Sequence, residues 1–233
     1  VSFNFNGWGN QQAHARDATV AARMAELTGV PLLRSSLVME GGGIEVDGQG
    51  TAIITESCVL NKNRNPGVSK ADAEAELKRM LGLDKIIWLP GIAGRDITDG
   101  HTDFYARFLK PGVVVAALDT DPKSYDHAVT HRHLELLTGA TDARGRPLQI
   151  VTLKTPSQVR PTFARKEFAA GYVNFFLTDK AVFLPEFGDA VADSAARAAL
   201  AAHLPSHQIV QLDIDAIAAG GGGIHCTTQQ EPA

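Results

Sequence analysis

Apolar residues recur at helical spacing over residues 11–28 and stop at Gly29, with Pro31 just beyond, which predicts a helix there. Ser69-Lys70-Ala71-Asp72 has the form of a capping box and opens a second helix that runs to about Met80 and closes at Gly82. Asp121-Pro122 supplies an N-cap and a proline at the first helical position for a third, which ends near Gly139. Asp189 caps a fourth, alanine-rich helix that ends before Pro205. Between the helices lie short β-type runs. Ile44–Val46 and Thr51–Thr55 flank the hairpin signal Asp47-Gly48-Gln49-Gly50, and Lys85–Leu89 follows the second helix. Phe104–Leu109 and Val113–Leu118 flank Lys110-Pro111-Gly112, and Leu148–Leu153 follows the third helix. Tyr172–Leu177 and Ala181–Leu184 flank Thr178-Asp179-Lys180, and Gln208–Leu212 follows the fourth.

The order is strand–strand–helix–strand three times over, beginning near residues 42, 101 and 171. A partial copy (strand, helix, strand) precedes the first unit, and the glycines at 220–223 open what reads as one more strand after the third. One supersecondary unit repeated every roughly 50–70 residues predicts a radial or stacked α/β assembly. No Ser-, Pro- or charge-rich linker divides the chain, so a single domain over residues 1–233 is expected.

Composition narrows the class. The chain has 233 residues, 44% hydrophobic and 21% charged, enough for a sizeable core. A net charge of -4 argues against nucleic acid or an anionic membrane as partner and suits a cationic substrate. Two cysteines make no disulfide framework, and no apolar run reaches membrane-spanning length, so a cytoplasmic setting is expected. The opening Val1-Ser2-Phe3-Asn4-Phe5-Asn6 reads as the middle of a strand, and the expectation is that part of a longer protein precedes it.

Three unusual segments fall near the starts of units: Glu40-Gly41-Gly42-Gly43, Asp99-Gly100-His101-Thr102-Asp103, and Gly220 to Cys226. Units arranged around an axis bring equivalent positions together at one end of it. His101 and Asp103, two apart, would share one face of a strand. A histidine moves protons near neutral pH, and a thiolate is a strong nucleophile. Cys226, His101, Asp103 and Glu40 therefore form a candidate nucleophile/base/acid set, with the amides of Gly221, Gly222 and Gly223 lining the approach. Each piece also has a plainer reading: His-x-Asp as a strand feature, Glu-Gly-Gly-Gly as a turn, Cys58 as a small buried apolar residue. A zinc set of His101, Asp103, His225 and Cys226 stays open, without a short-spaced ligand pair to support it. His131 and His133 do not face one another on a helix and are expected to be solvated.

Phe3-Asn4-Phe5-Asn6-Gly7-Trp8-Gly9, Met39-Glu40-Gly41-Gly42-Gly43-Ile44 and Asn61-Lys62-Asn63-Arg64-Asn65-Pro66 resemble segments of agmatine deiminases, within the bacterial-type peptidylarginine deiminases. So do Thr98 to Asp103, Gly171-Tyr172-Val173-Asn174-Phe175, Pro185-Glu186-Phe187-Gly188-Asp189 and Gly221 to Gln230, all in the same order. The resemblance implies a pentein-type α/β propeller of ββαβ units about a pseudo-fivefold axis, with the first unit and part of the next lying before Val1. It implies hydrolysis of a small cationic guanidino substrate, such as agmatine, to a ureido product and ammonia, without metal or organic cofactor, and it allows a homodimer. Cys226 would attack the guanidinium carbon, His101 would protonate the departing ammonia, Asp103 would pair with guanidinium N–H groups, and Glu40 would hold the imidazole. Trp8 and Asp99 would also bind substrate. The family carries a Trp-x-Arg-Asp segment upstream of Phe3, whose Asp is a second guanidinium-binding carboxylate. A chain lacking it is expected to be nearly inactive. Arginine in peptides is the alternative substrate, an amidinotransferase or dihydrolase a more distant alternative, and a non-catalytic structural subunit the competing class.

Overall fold

The computed structural model describes residues 1–165 and 167–230. Two compact units emerge: Val1–Thr102 with Asp142–Gly145, and Asp103–Thr141 with Arg146–Ala233. Among the described residues, no helix is long and apolar enough to cross a membrane.

In the first unit, β1 (Ile44–Val46) pairs antiparallel with β2 (Thr51–Thr55), which pairs in parallel with β3 (Lys85–Leu89). The hairpin turns because Asp47 Oδ1 accepts from the N–H groups of Gln49 (2.7 Å) and Thr51 (2.9 Å). A parallel return needs a crossover, here the helix Lys70–Leu81. It starts where Ser69 Oγ accepts from Asp72 N and stops at Gly82, whose φ of 66° only glycine adopts without strain. Ala73 and Leu77 pack with Ala52, Ile54, Val59 and Ile86 into one apolar cluster. Thr51 Oγ1 accepts from Ala143 N at 3.0 Å, tying residues 142–145 to this unit.

The second unit repeats the arrangement twice. β4 (Ala106–Lys110) pairs antiparallel with β5 (Val113–Leu118), and β5 in parallel with β6 (Gln149–Lys154), across the helix His127–Thr138. β7 (Phe176–Leu177) pairs antiparallel with β8 (Ala181–Glu186), and β8 in parallel with β9 (Gln208–Asp213), across the helix Ala190–His203. Asp189 caps that helix as expected, accepting from Ala192 N. Val115, Leu153, Tyr172, Phe175, Leu184, Phe187, Leu200 and Ile224 share one core. The three sheets are thus three-stranded, each with the second strand in the middle.

Several expectations are corrected. The first predicted helix spans only Val20–Thr28, preceded by a single 3-10 turn at Asp17–Thr19, and neither buries any of its residues. Asp121-Pro122 makes a turn, with Asp121 Oδ1 accepting from Lys123 N, and the helix begins at His127. The opening residues 1–6 form no strand: Ser2 makes an isolated parallel bridge to Arg34, Asn4 N donates to Leu37 O, and a turn over Gly7–Asn10 follows. Thr102–Tyr105 is a helical turn, so His101 and Asp103 do not share a strand face. The glycine run opens no strand: the chain turns, and His225–Thr227 is a 3-10 turn. His133 is buried, edge-on to Tyr105 at 4.7 Å between ring centroids, whereas His131 is exposed.

Candidate active site

Each unit carries one half of the predicted chemistry. In the first, Glu40 stands in extended conformation just before the turn Gly41–Gly43, and its Oε2 lies 3.0 Å from His101 Nε2. The loop bearing His101 is fastened to the end of β2: Thr55 Oγ1 donates to Gly100 O (2.6 Å), and Thr55 N donates to Thr102 Oγ1 (3.1 Å). Thr102 Oγ1 in turn donates to Gly43 O at 2.9 Å, so the glycine turn after Glu40 and the His101 loop are joined directly. Glu40 and His101 are both buried. Burial alone would raise the Glu40 carboxyl, but the hydrogen bond and charge of His101 and the Arg64 guanidinium outweigh it and hold it below the usual carboxylate range.

Arg64 was not anticipated as part of this cluster. Its Nε lies 3.0 Å from both Glu40 oxygens, its Nη1 donates to Asp99 Oδ2 at 2.7 Å, and its Nη2 donates to Thr98 O at 2.9 Å. Removing one partner of a buried ion pair of this kind typically costs about 3–5 kcal/mol. Cys58 is fully buried as expected, but its Sγ also lies 3.6 Å from Glu40 Oε2. The Glu40, Cys58 and His101 donor atoms lie within 4.8 Å of one another, close enough to share a metal ion. Arg64, hydrogen-bonded to both Glu40 oxygens, already supplies that carboxylate with a positive charge.

Asp99, expected at the substrate, directs its carboxylate inward instead, to Arg64, to Asn63 Nδ2 (2.8 Å) and to Gly94 N (2.7 Å). It does so from a φ of 61°, a left-handed conformation rare for a non-glycine residue. Trp8, also expected at the substrate, is half-buried at a φ of 55°, with its ring edge-on to Phe5 at 5.1 Å.

In the second unit, Asp103 is wholly buried. Its Oδ2 lies 2.8 Å from His225 Nδ1 and 3.7 Å from Cys226 Sγ, while its Oδ1, also buried, meets no hydrogen-bond donor. Asn174, likewise absent from the predicted set, organises the turn around the thiol. Its Oδ1 accepts from His225 N (2.9 Å) and Cys226 N (3.4 Å), and its Nδ2 lies 3.3 Å from the sulfur. Gly223 makes that approach possible: a Cβ there would fall 2.3 Å from Asn174 Oδ1. Gly222 lies beside the thiol, where a Cβ would meet the Cys226 Cβ at 3.6 Å, and Gly221 turns the chain at a φ of 85°. Cys226 is exposed as a residue, but its sulfur points into packed surroundings. Desolvation of that sulfur and the Asp103 carboxylate push the thiol up to about 12, against the hydrogen bonds from Gly223 and Asn174.

The four residues proposed as a zinc set divide differently: Asp103, His225 and Cys226 cluster together, and His101 pairs with Glu40. The second cluster has the parts of a nucleophilic site for a cation: a thiol, an adjacent carboxylate with a vacant buried acceptor, and an amide side chain fixing the sulfur.

Comparison with known proteins agrees on one group. A family profile described as Porphyromonas-type peptidyl-arginine deiminase matches residues 1–232. The chain is 41% identical to a Streptomyces coelicolor protein provisionally named an agmatine deiminase, over 100% of this chain and 70% of that one. It is 36% identical to the agmatine deiminase of Medicago truncatula, over 100% of this chain and 68% of that one. The fold is similar to the solved agmatine deiminase of Enterococcus faecalis, with a TM-score of 0.92 and 32% identity, over 99% of this chain and 69% of that one.

Proposed function

Since the chain belongs to the Porphyromonas-type peptidyl-arginine deiminase family, we propose that it hydrolyses the guanidinium group of agmatine, with Cys226 as nucleophile. The observation that carries this reading is the Asp103 carboxylate: one oxygen holds His225 beside the sulfur, and the other is buried without a donor. A planar cation with several N–H groups supplies the missing donor and brings its carbon to the thiol. The agmatine deiminase relatives, matched along the whole chain, support agmatine as the substrate.

In this mechanism, the bound guanidinium offsets the charge of Asp103 and favours the thiolate. The thiol gives up its proton to solvent, and the sulfur attacks the guanidinium carbon and forms a tetrahedral adduct. The bond from that carbon to a terminal nitrogen then breaks, and His101, hydrogen-bonded to Glu40, gives its proton to the departing ammonia. The remaining thiouronium is attacked by water, which gives its proton to His101; the C–S bond breaks and N-carbamoylputrescine leaves. Both residues must act on one substrate, and along the chain only Thr102 separates His101 from Asp103. The three strand–strand–helix–strand units support a pentein-type α/β propeller, and residues 1–233 read as one catalytic domain within this proposal.

Mass spectrometry of the acid-quenched full-length protein during turnover tests the covalent step. The Cys226 peptide should carry agmatine less ammonia; the same mass on Cys58 instead would refute the assignment. The family description favours a second reading, arginine within a peptide. Competition between agmatine and a blocked arginine peptide separates the two through their relative kcat/KM.

A further inference from the structure

We infer that Arg64 is the positioning residue that sets the orientation of the His101 imidazole, acting both through Glu40 and through the Thr98–Asp99 turn. This rests on the role of His101 proposed above.

One guanidinium reaches two of the supports of His101. The imidazole is held by Glu40 Oε2, and Arg64 Nε lies 3.0 Å from both oxygens of that carboxylate, which fixes its plane. The backbone leading into His101 is held at Thr98 O by Nη2 and at the Asp99 carboxylate by Nη1. Asp99 needs such an anchor, because its left-handed φ of 61° is unfavourable for a residue with a side chain. Thr98 extends the chain of contacts, its Oγ1 accepting from His101 N at 3.1 Å. The guanidinium itself is rigidly placed: Arg64 N donates to Asn61 O, and the neighbouring Asn65 side chain is bonded to Val38 N, Val38 O and Val59 O.

Geometry explains why this must be arginine. A planar fork donates in three directions at once, to Glu40, Asp99 and a backbone carbonyl, while a lysine ammonium carries the same charge from a single point. Without the fork, Glu40 keeps His101 and the weak donor Cys58 as partners, and its plane is free to turn. The imidazole turns with it. A group that transfers a proton loses rate steeply when displaced by a fraction of its working distance.

The test is Arg64→Lys, with Asp99→Asn as a milder second variant that cuts the Nη1 link, together with the Asn63 contact to the same oxygen, and leaves the Arg64–Glu40 pair in place, each in the full chain. For Arg64→Lys, kcat for agmatine should fall roughly 10²-fold with KM little changed, in protein whose Cys226 still titrates fully with a cationic haloacetamidine. Asp99→Asn should show a smaller loss of the same kind. In parallel, the His101 imidazole resonances, read by 15N-edited NMR without substrate, should shift in both variants. Parental kcat with unmoved resonances would overturn the inference, as would a kcat loss equal to the loss of titratable Cys226. If Arg64→Lys does not fold, the NMR and kcat of Asp99→Asn decide the matter. Failure of the parent to turn over agmatine would count against the proposed function alone, since the imidazole signal is read without substrate.

Discussion

Asn174 grips Cys226 from two sides: its Nδ2 lies 3.3 Å from the sulfur, and its Oδ1 accepts from the Cys226 backbone N–H at 3.4 Å. The same oxygen accepts from His225 N at 2.9 Å, so one buried amide sets both the thiol and the histidine that leans on Asp103. Asn174→Ala should remove the side-chain acceptor of the Cys226 N–H, leave the His225 N–H with only the Asn174 backbone carbonyl, and lower stability by about 1–3 kcal/mol. Turnover should fall further than the loss of folded protein accounts for, as seen by comparing urea midpoints with kcat.

Gly223→Ala attacks the same contact from the other side. The new Cβ would fall 2.3 Å from Asn174 Oδ1, so either the amide or the turn must move. Overpacking of this kind costs about 1–3 kcal/mol, and thermal melts should show it. Gly220→Ala is the control: its Cβ would be 3.2 Å from a backbone carbonyl, that of Ile217, and clear of Asn174 and Cys226.

The thiol of Cys226, pushed up to about 12 by its packed surroundings and by Asp103, is protonated at neutral pH. Alkylation by neutral iodoacetamide should therefore be slow at pH 7 and still be rising at pH 10. Asp103→Asn removes the charge that opposes ionisation, so the variant should be alkylated faster than the parent at pH 9, although it turns over less substrate. A cationic haloacetamidine should show the reverse preference, reacting faster with the parent.

His133 gives the fold an acid sensitivity unrelated to the site. Desolvation depresses it to about 4 in the folded chain, against 6.5 as a free group. A base depressed in this way adds stability that is complete above about pH 6.5, because below that value the unfolded chain binds the proton first. The loss builds as pH falls toward 4 and totals about 3 kcal/mol. His133→Phe keeps an aromatic ring for the edge-on contact with Tyr105. Whatever its stability at pH 7, its urea midpoint should fall less between pH 7 and pH 4.5 than the parent's.

What the sequence reveals depends on how local the cause is. Ser69 and Gly82 bracket their helix through contacts within the helix ends, and both ends were predictable. Strands β1, β2, β3 and β5 match their apolar runs residue for residue. Asp121-Pro122 misled because the same pair that can open a helix also makes a turn, and the Asp121 side chain chose its near neighbour Lys123. The four glycines carry no side chains from which to read pairing, so their sequence does not distinguish the turn that forms there from a strand. Cys226, His101, Asp103 and Glu40 were recognisable by chemistry and family resemblance. Arg64 and Asn174 were not, since their partners lie 24 and 52 residues away and nothing in an arginine or asparagine alone announces them.

His101→Ala should abolish turnover in protein that still folds, because the loop is also held by Thr55, Thr98 and Thr102, with the thermal melt lowered by the loss of a partner from buried Glu40. Normal turnover by this variant would remove His101 from the mechanism.

The central claim is that Cys226, beside the half-satisfied carboxylate of Asp103, is the nucleophile of a deimination. Ammonia release from agmatine by the full-length protein tests it most directly, with Cys226→Ala and Cys58→Ala measured alongside. The account predicts a loss of at least about 10³-fold for Cys226→Ala and a far smaller change for Cys58→Ala. Equal rates of ammonia release from the parent and Cys226→Ala would contradict it.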